Sequence, residues 1–79
     1  MVNAPTRKVI TEVEGVVVDV ISTREYLVKV THGDYTNKLI NATISGSLYY
    51  DGIVLFKKDK VALDIRTSSP DRGLITYRL

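Results

Sequence analysis

The chain has 79 residues, no cysteine and a single histidine, and eleven Lys and Arg against nine Asp and Glu leave a formal charge of +2. That length suits one domain with a small core, and without thiols there are no disulfide staples and no thiolate metal sites. No run approaches the ~18 apolar residues of a membrane span, and the opening MVNAPTRKVI has no signal-peptide core. The expectation is a soluble protein of the cytoplasm, or of an organelle matrix, with no membrane partner.

Residues 1–11 read as a flexible N-terminal arm, polar and interrupted by Pro5, and residues 12–79 as the folded domain. The β-branched run after Glu12 favours a strand over a helix. Val16, Val18 and Val20 alternate with Val17 and Asp19 and are taken as its inward face, so a charge at Val18 is expected to unfold the domain. Gly15 inside the run marks a bulge or bend, which a small barrel needs to turn its corner. Ser22 to Glu25 reads as a turn. Tyr26, Val28 and Val30 then give a second strand with one apolar face. His32-Gly33-Asp34 is rich in turn formers. Ile40, Ala42 and Ile44 alternate with Leu39, Asn41 and Thr43 in a third strand, completing an antiparallel meander.

Ser45-Gly46 breaks the alternation, and Ser47 to Gly52 is too short and punctuated for a strand. A single helical turn or an irregular connector fits there. Ile53 to Phe56 is apolar and leads to the charged turn Lys57-Lys58-Asp59. Val61, Leu63 and Ile65 mark a fourth strand, Thr67 to Gly73 a loop, and Ile75 with Tyr77 the inward face of a fifth. Five strands with a longer connector between the third and fourth fit an all-β OB-fold, a five-stranded Greek-key barrel. An SH3-like barrel is the alternative on strand count alone.

Catalysis has little to work with. His32 stands in a turn, one imidazole cannot build a metal site, and no strand–turn–helix frames a nucleophile. The five glycines are scattered, so no glycine loop cradles a phosphate. No enzyme, no catalytic residue, no metal and no cofactor are expected. Binding of nucleic acid has more support. Arg24 lies between the first two strands, Lys57, Lys58 and Lys60 precede the fourth, and Arg72 precedes the fifth. Lys29 and Lys38 are placed on the polar faces of strands two and three, the surface OB-folds offer to oligonucleotides. Closure of the barrel is expected to gather these cations on one RNA-facing patch, where they would neutralise phosphates. Tyr26 and Tyr77 read as core. Of the adjacent Tyr49 and Tyr50, one is expected to stack on unpaired bases and the other to plug the barrel end.

Five blocks in order resemble the family of bacterial translation initiation factor one. They are Glu14-Gly15-Val16-Val17, Tyr26-Leu27-Val28-Lys29-Val30, Ala42-Thr43-Ile44-Ser45-Gly46, Asp59-Lys60-Val61-Ala62-Leu63 and Gly73-Leu74-Ile75-Thr76-Tyr77-Arg78. The likeness runs from about Glu12 to Arg78, with an insertion around His32 to Asn37. It implies a monomeric OB-fold factor, free of cofactors, bound to ribosomal RNA at the aminoacyl-tRNA site of the small ribosomal subunit beside other initiation factors. The chain departs from that pattern where the family carries basic residues after the Ile-Ser-Gly block. Ser47, Tyr49, Tyr50 and Asp51 stand there, Val54 replaces another basic residue, and Leu74 follows Gly73 where Arg is usual. The RNA-binding set is then Arg24, Lys38, Lys57, Lys58, Lys60, Arg72 and Arg78, with Tyr49 or Tyr50 for stacking. Two alternatives share the fold. One is a general binder of single-stranded RNA or DNA, and the other a protein-interaction module using an exposed Leu48-Tyr49-Tyr50 stretch.

Overall fold

The structure, a computed structural model, describes residues 9–33, 35–66 and 69–79. Residues 1–8, most of the expected arm, lie outside the described residues, as does Asp34. Strand β1 spans Val9–Val20, β2 Glu25–His32, β3 Leu39–Ile44, β4 Lys60–Arg66 and β5 Arg72–Arg78, with helix α1 at Gly46–Tyr50 between β3 and β4. The strands close in the order β1-β2-β3-β5-β4. Only β3 and β5 run parallel; the other pairings are antiparallel. This is the five-stranded OB-fold barrel expected from the strand pattern, with its helix in the connector.

Closure depends on β1, which pairs with β2 along its second half and with β4 along its first. A strand shared by two sheets must coil sharply, and Gly15 sits at the coil. A Cβ there would lie 2.5 Å from Cγ1 of Val28 and 2.8 Å from the carbonyl oxygen of Lys29. Only a residue without a side chain lets β2 come that near.

Among the residues whose burial is described, thirteen apolar side chains fill the barrel, from Val13 and Val17 on β1 to Ile75 on β5. Tyr26 is among them at 1% exposure, and its hydroxyl donates to the carbonyl of Thr23 at 3.2 Å, so its polar tip is satisfied. Ser45 caps α1, its hydroxyl accepting from the Leu48 amide at 3.4 Å. The short helix closes one end of the barrel with half-buried Leu48 and Tyr49. Leu55, in the connector that follows, is fully enclosed.

Four expectations need correction. The inward face of β1 is Val13, Gly15 and Val17, whereas Val18 is 36% exposed and Val20 is exposed as well. A register shift between Val17 and Asp19 leaves Val18 as an extra residue opposite β2. Tyr77 is 68% exposed and is not core. Leu63 pairs with Ile75 but Ala62 with Tyr77, so Thr76 is the extra residue that turns Tyr77 outward. Lys38 lies just ahead of β3, not on its face. Leu48 packs against the core, so the exposed stretch expected around it reduces to Tyr50.

Candidate nucleic-acid interface

Because side chains alternate across each strand, the register specifies what the barrel shows to solvent. Three rows cross its outer surface. The first is Lys60 on β4, Val16 on β1, Lys29 on β2 and Leu39 on β3. The second is Asp19, Leu27, Asn41 and Arg72, the last on β5. The third is Glu25, Thr43, Leu74 and Asp64. All twelve are exposed or half-buried. Lys60 and Lys29 stand two strand spacings apart, ~10 Å, with Val16 between them. The surface is therefore a mosaic of apolar, amide, hydroxyl and basic groups, in which Asp19, Glu25 and Asp64 interrupt the positive charge.

The nine residues expected to contact RNA divide between the two ends of this surface. Strand β3 ends at α1 and β5 runs parallel to it, which puts Arg78 at the helix-capped end and Arg72 at the opposite one. Lys60 joins Arg78, since the Leu79 amide donates to the Lys60 carbonyl at 2.9 Å. Lys57 and Lys58 are held at the same end by the Lys58 amide, which donates to the Val17 carbonyl at 2.7 Å. Arg24 is there too, its carbonyl accepting from Ile44 at the end of β3. Tyr49 and Tyr50 belong to α1 itself. Lys38 stands with Arg72 at the far end. A single common patch is not formed, because loops at opposite ends of a closed barrel cannot meet.

At the helix-capped end two of the cations, Arg24 and Lys57, are already engaged. The Arg24 guanidinium lies 4.2 Å from the centroid of the Tyr49 ring, a cation–π contact. Tyr49 and Tyr50 meet edge to face at 5.7 Å and 75°, and Tyr50 is 83% exposed. Lys57 Nζ is 3.8 Å from Oδ1 of Asp19. Lys58 forms the tip of its turn at φ 77, with the Phe56 amide donating to the Asp59 carboxylate at 2.9 Å. A cleft of about 660 Å³ separates the β1–β2 loop from the connector, lined by Val20, Tyr26, Tyr49, Ile53 and Val54 among others. Ile21 and Phe56, both exposed, lie in the same two loops.

At the hairpin end the composition is different. A groove of about 530 Å³ is lined by Thr43, Asp64, Arg66, Ser69, Arg72, Gly73 and Leu74. Arg66, Asp64 and Ser69 were not singled out in the sequence. The signal was present in the alternation of KVALDIR, whose polar positions Asp64 and Arg66 face outward. It was also present in the shortness of the hairpin that returns the chain to Arg72. His32 is exposed, with Nδ1 3.1 Å from the Thr31 hydroxyl and 3.9 Å from Oε1 of Glu14. Among the described residues no group of three His, Cys, Asp or Glu is placed to hold a metal, and no helix is long and apolar enough to cross a membrane.

A closed five-stranded barrel in this strand order, with its helix between β3 and β4, defines the chain as an OB-fold protein. No family model matches the sequence. Among solved structures the chain is similar to YjeQ from Thermotoga maritima, with a TM-score of 0.66 and 19% identity over 85% of this chain. The match covers 22% of the YjeQ chain, so this protein corresponds to about a fifth of that one. At such identity the likeness is one of fold.

Proposed function

We propose that this protein is an RNA-binding OB-fold module that works by binding and not by catalysis, and that its target is the small ribosomal subunit. The observation that carries the reading is the outer surface that runs from the start of β4 across β1, β2 and β3. There Lys60, Val16, Lys29 and Leu39 form one continuous row, and basic loops bound the surface at both ends. OB-folds use the β2–β3 face and the loops flanking it for oligonucleotides. Single-stranded RNA suits such a mosaic, because its splayed bases present both flat apolar faces and polar edges. Tyr50 adds an exposed ring for stacking.

The finer assignment is a factor of the initiation-factor-one type, acting in the cytoplasm at the aminoacyl-tRNA site in the company of other initiation factors. Its support is the ordered series of sequence blocks, each of which falls on or at the edge of a different strand of the barrel. The test is co-sedimentation with small subunits, combined with chemical footprinting of the decoding region. Saturable binding with protection there is the expected result; no protection at saturating protein overturns the finer assignment. Fluorescence anisotropy with short RNA and DNA oligonucleotides tests the broader one. Affinity should fall with salt, with a slope near −2 on logarithmic axes for about three phosphates neutralised on a single strand.

A second reading has its own observation. Val20, Ile21, Val54, Phe56 and Tyr50 expose apolar surface around the cleft at the helix-capped end, as protein-docking surfaces do. Binding to subunits that is unchanged between low and high salt would favour that surface over the RNA face.

A further inference from the structure

We propose that the groove at the base of the β4–β5 hairpin is a single-nucleotide subsite, with Arg66 and Arg72 on the phosphate and Asp64 reading the amino edge of the base, so that guanine is preferred over uracil. This deepens the RNA-binding reading and rests on it for the longer ligand.

The argument begins with the register. Ile65 pairs with Gly73 in the antiparallel β4–β5 ladder, which brings Arg66 and Arg72 to the same level on facing strands. Like charges directly opposite in an antiparallel pair repel. Among the described residues neither arginine has a carboxylate within 4.0 Å; the two ion pairs found there are His32–Glu14 and Lys57–Asp19. An anion seated between the two forks would turn that repulsion into attraction, and a guanidinium matches phosphate in a bidentate way. Ser69 lines the same groove, and a serine hydroxyl is a further donor for an anion.

Phosphate alone does not explain the rest of the lining. Asp64 stands on the same outward face of β4, two residues before Arg66 and opposite Leu74. A carboxylate accepts hydrogen bonds and does not donate them, so it opposes an anion and welcomes N–H groups. A ligand that satisfies both ends must carry a phosphate and, a few ångströms away, a hydrogen-bond donor. A nucleotide does. Guanine presents N1–H and N2–H₂ side by side, matching the two carboxylate oxygens. Uracil offers a single N–H flanked by carbonyl oxygens, which the carboxylate would repel. Leu74 gives the base an apolar floor, and the Thr43 hydroxyl, paired across the strands with Leu74, stands at its edge. The groove's volume of about 530 Å³ falls within the ~300–1,000 Å³ common for small-ligand sites.

The experiment is a titration followed by amide chemical shifts on the intact chain, using inorganic phosphate, guanosine monophosphate and uridine monophosphate as probes. Guanosine monophosphate should move the amides of Thr43, Asp64, Arg66, Arg72 and Leu74, and should bind about tenfold more tightly than uridine monophosphate. Asp64→Asn should reduce that ratio to near one while leaving the response to phosphate in place. Arg66→Ala with Arg72→Ala should remove both responses, and the spectra themselves show whether each variant remains folded. Equal affinity for the two nucleotides, or shifts confined to the helix-capped end, overturns the subsite. So does a guanosine response no stronger than that of phosphate. The subsite and the RNA reading fail separately. If guanosine monophosphate seats here but oligonucleotides and ribosomal subunits do not bind, the proposed function falls. If RNA binds but Asp64→Asn leaves the base preference of oligonucleotides unchanged, the subsite falls.

Discussion

The two ends of the barrel carry different numbers of cations, Arg24, Lys57, Lys58, Lys60 and Arg78 at one and Lys38, Arg66 and Arg72 at the other, and put them to different use. At the helix-capped end Arg24 lies against Tyr49 and Lys57 against Asp19, within surroundings rich in exposed Val, Ile, Phe and Tyr. At the hairpin end Arg66 and Arg72 face each other across β4 and β5 in a groove with hydroxyls and one carboxylate. Counting charge along the chain favours the first end, where the lysines cluster. Geometry favours the second for binding an anion, because Arg66 and Arg72 stand at one level on facing strands, whereas Arg24 and Lys57 at the first already have partners and less to gain from a phosphate. An exposed ion pair is worth little to stability, but it still competes with a ligand for the same donor.

The comparison between the ends presupposes that the barrel closes between them, and the largest expected effect attacks that closure. Gly15→Ala would press a methyl group into the Lys29 carbonyl, which cannot move without parting β1 from β2. A loss of about 2–3 kcal/mol is expected from such overpacking, read as the midpoint and extrapolated stability in urea unfolding. An unchanged midpoint would mean that β1 and β2 do not approach as closely as described.

A difference between the ends comes next in size. Arg66→Ala with Arg72→Ala should flatten the salt dependence of RNA binding by about 1.4 on logarithmic axes, the value for two phosphate contacts on a single strand. Lys57→Ala with Lys58→Ala should flatten it less, since Lys57 is shared with Asp19. Anisotropy titrations across a salt series measure both slopes. The reverse order would assign the RNA contact to the helix-capped end.

Ser45→Ala sharpens the contrast by loosening one end only. Losing the cap should cost about 1 kcal/mol, seen in thermal unfolding. It should also disturb the Arg24–Tyr49 contact while leaving the amide shifts of the hairpin groove in place. The smallest effect belongs to Val18→Asp, expected within about 0.5 kcal/mol of the parent because the position is an outward bulge. A cooperative loss of structure in that variant would restore the opposite phase for β1.

The strand series was legible because β-branched and aliphatic residues recur with a period of two between turn formers. A break between the third and fourth strands was legible because Ser45 and Gly46 interrupt that period ahead of a segment too short for a strand, but a helical turn and an irregular connector fitted it equally. Tyr26 could be assigned to the core because its neighbours Val28 and Val30 share its phase. Three consecutive valines at 16–18 concealed the phase of β1. Either face would be apolar, and the inward glycine offers no side chain to betray the choice. Tyr77 follows the period from Ile75, and only the extra residue at Thr76 reverses it. A bulge is set by the fit of two strands to each other, and neither strand shows it alone.

What the sequence determined by itself was the succession of strands and the break between the third and fourth, since period and turn chemistry are local properties. Closure, register and the sorting of cations were decided by tertiary structure. They depend on how near β1 can pass to β2, on which residues stand opposite one another, and on the end of the barrel to which each loop is tied. Arg66 and Arg72 belong to one groove because antiparallel pairing returns the chain to its own level. Arg24 and Arg72 lie apart because a closed barrel holds its two ends at a fixed distance.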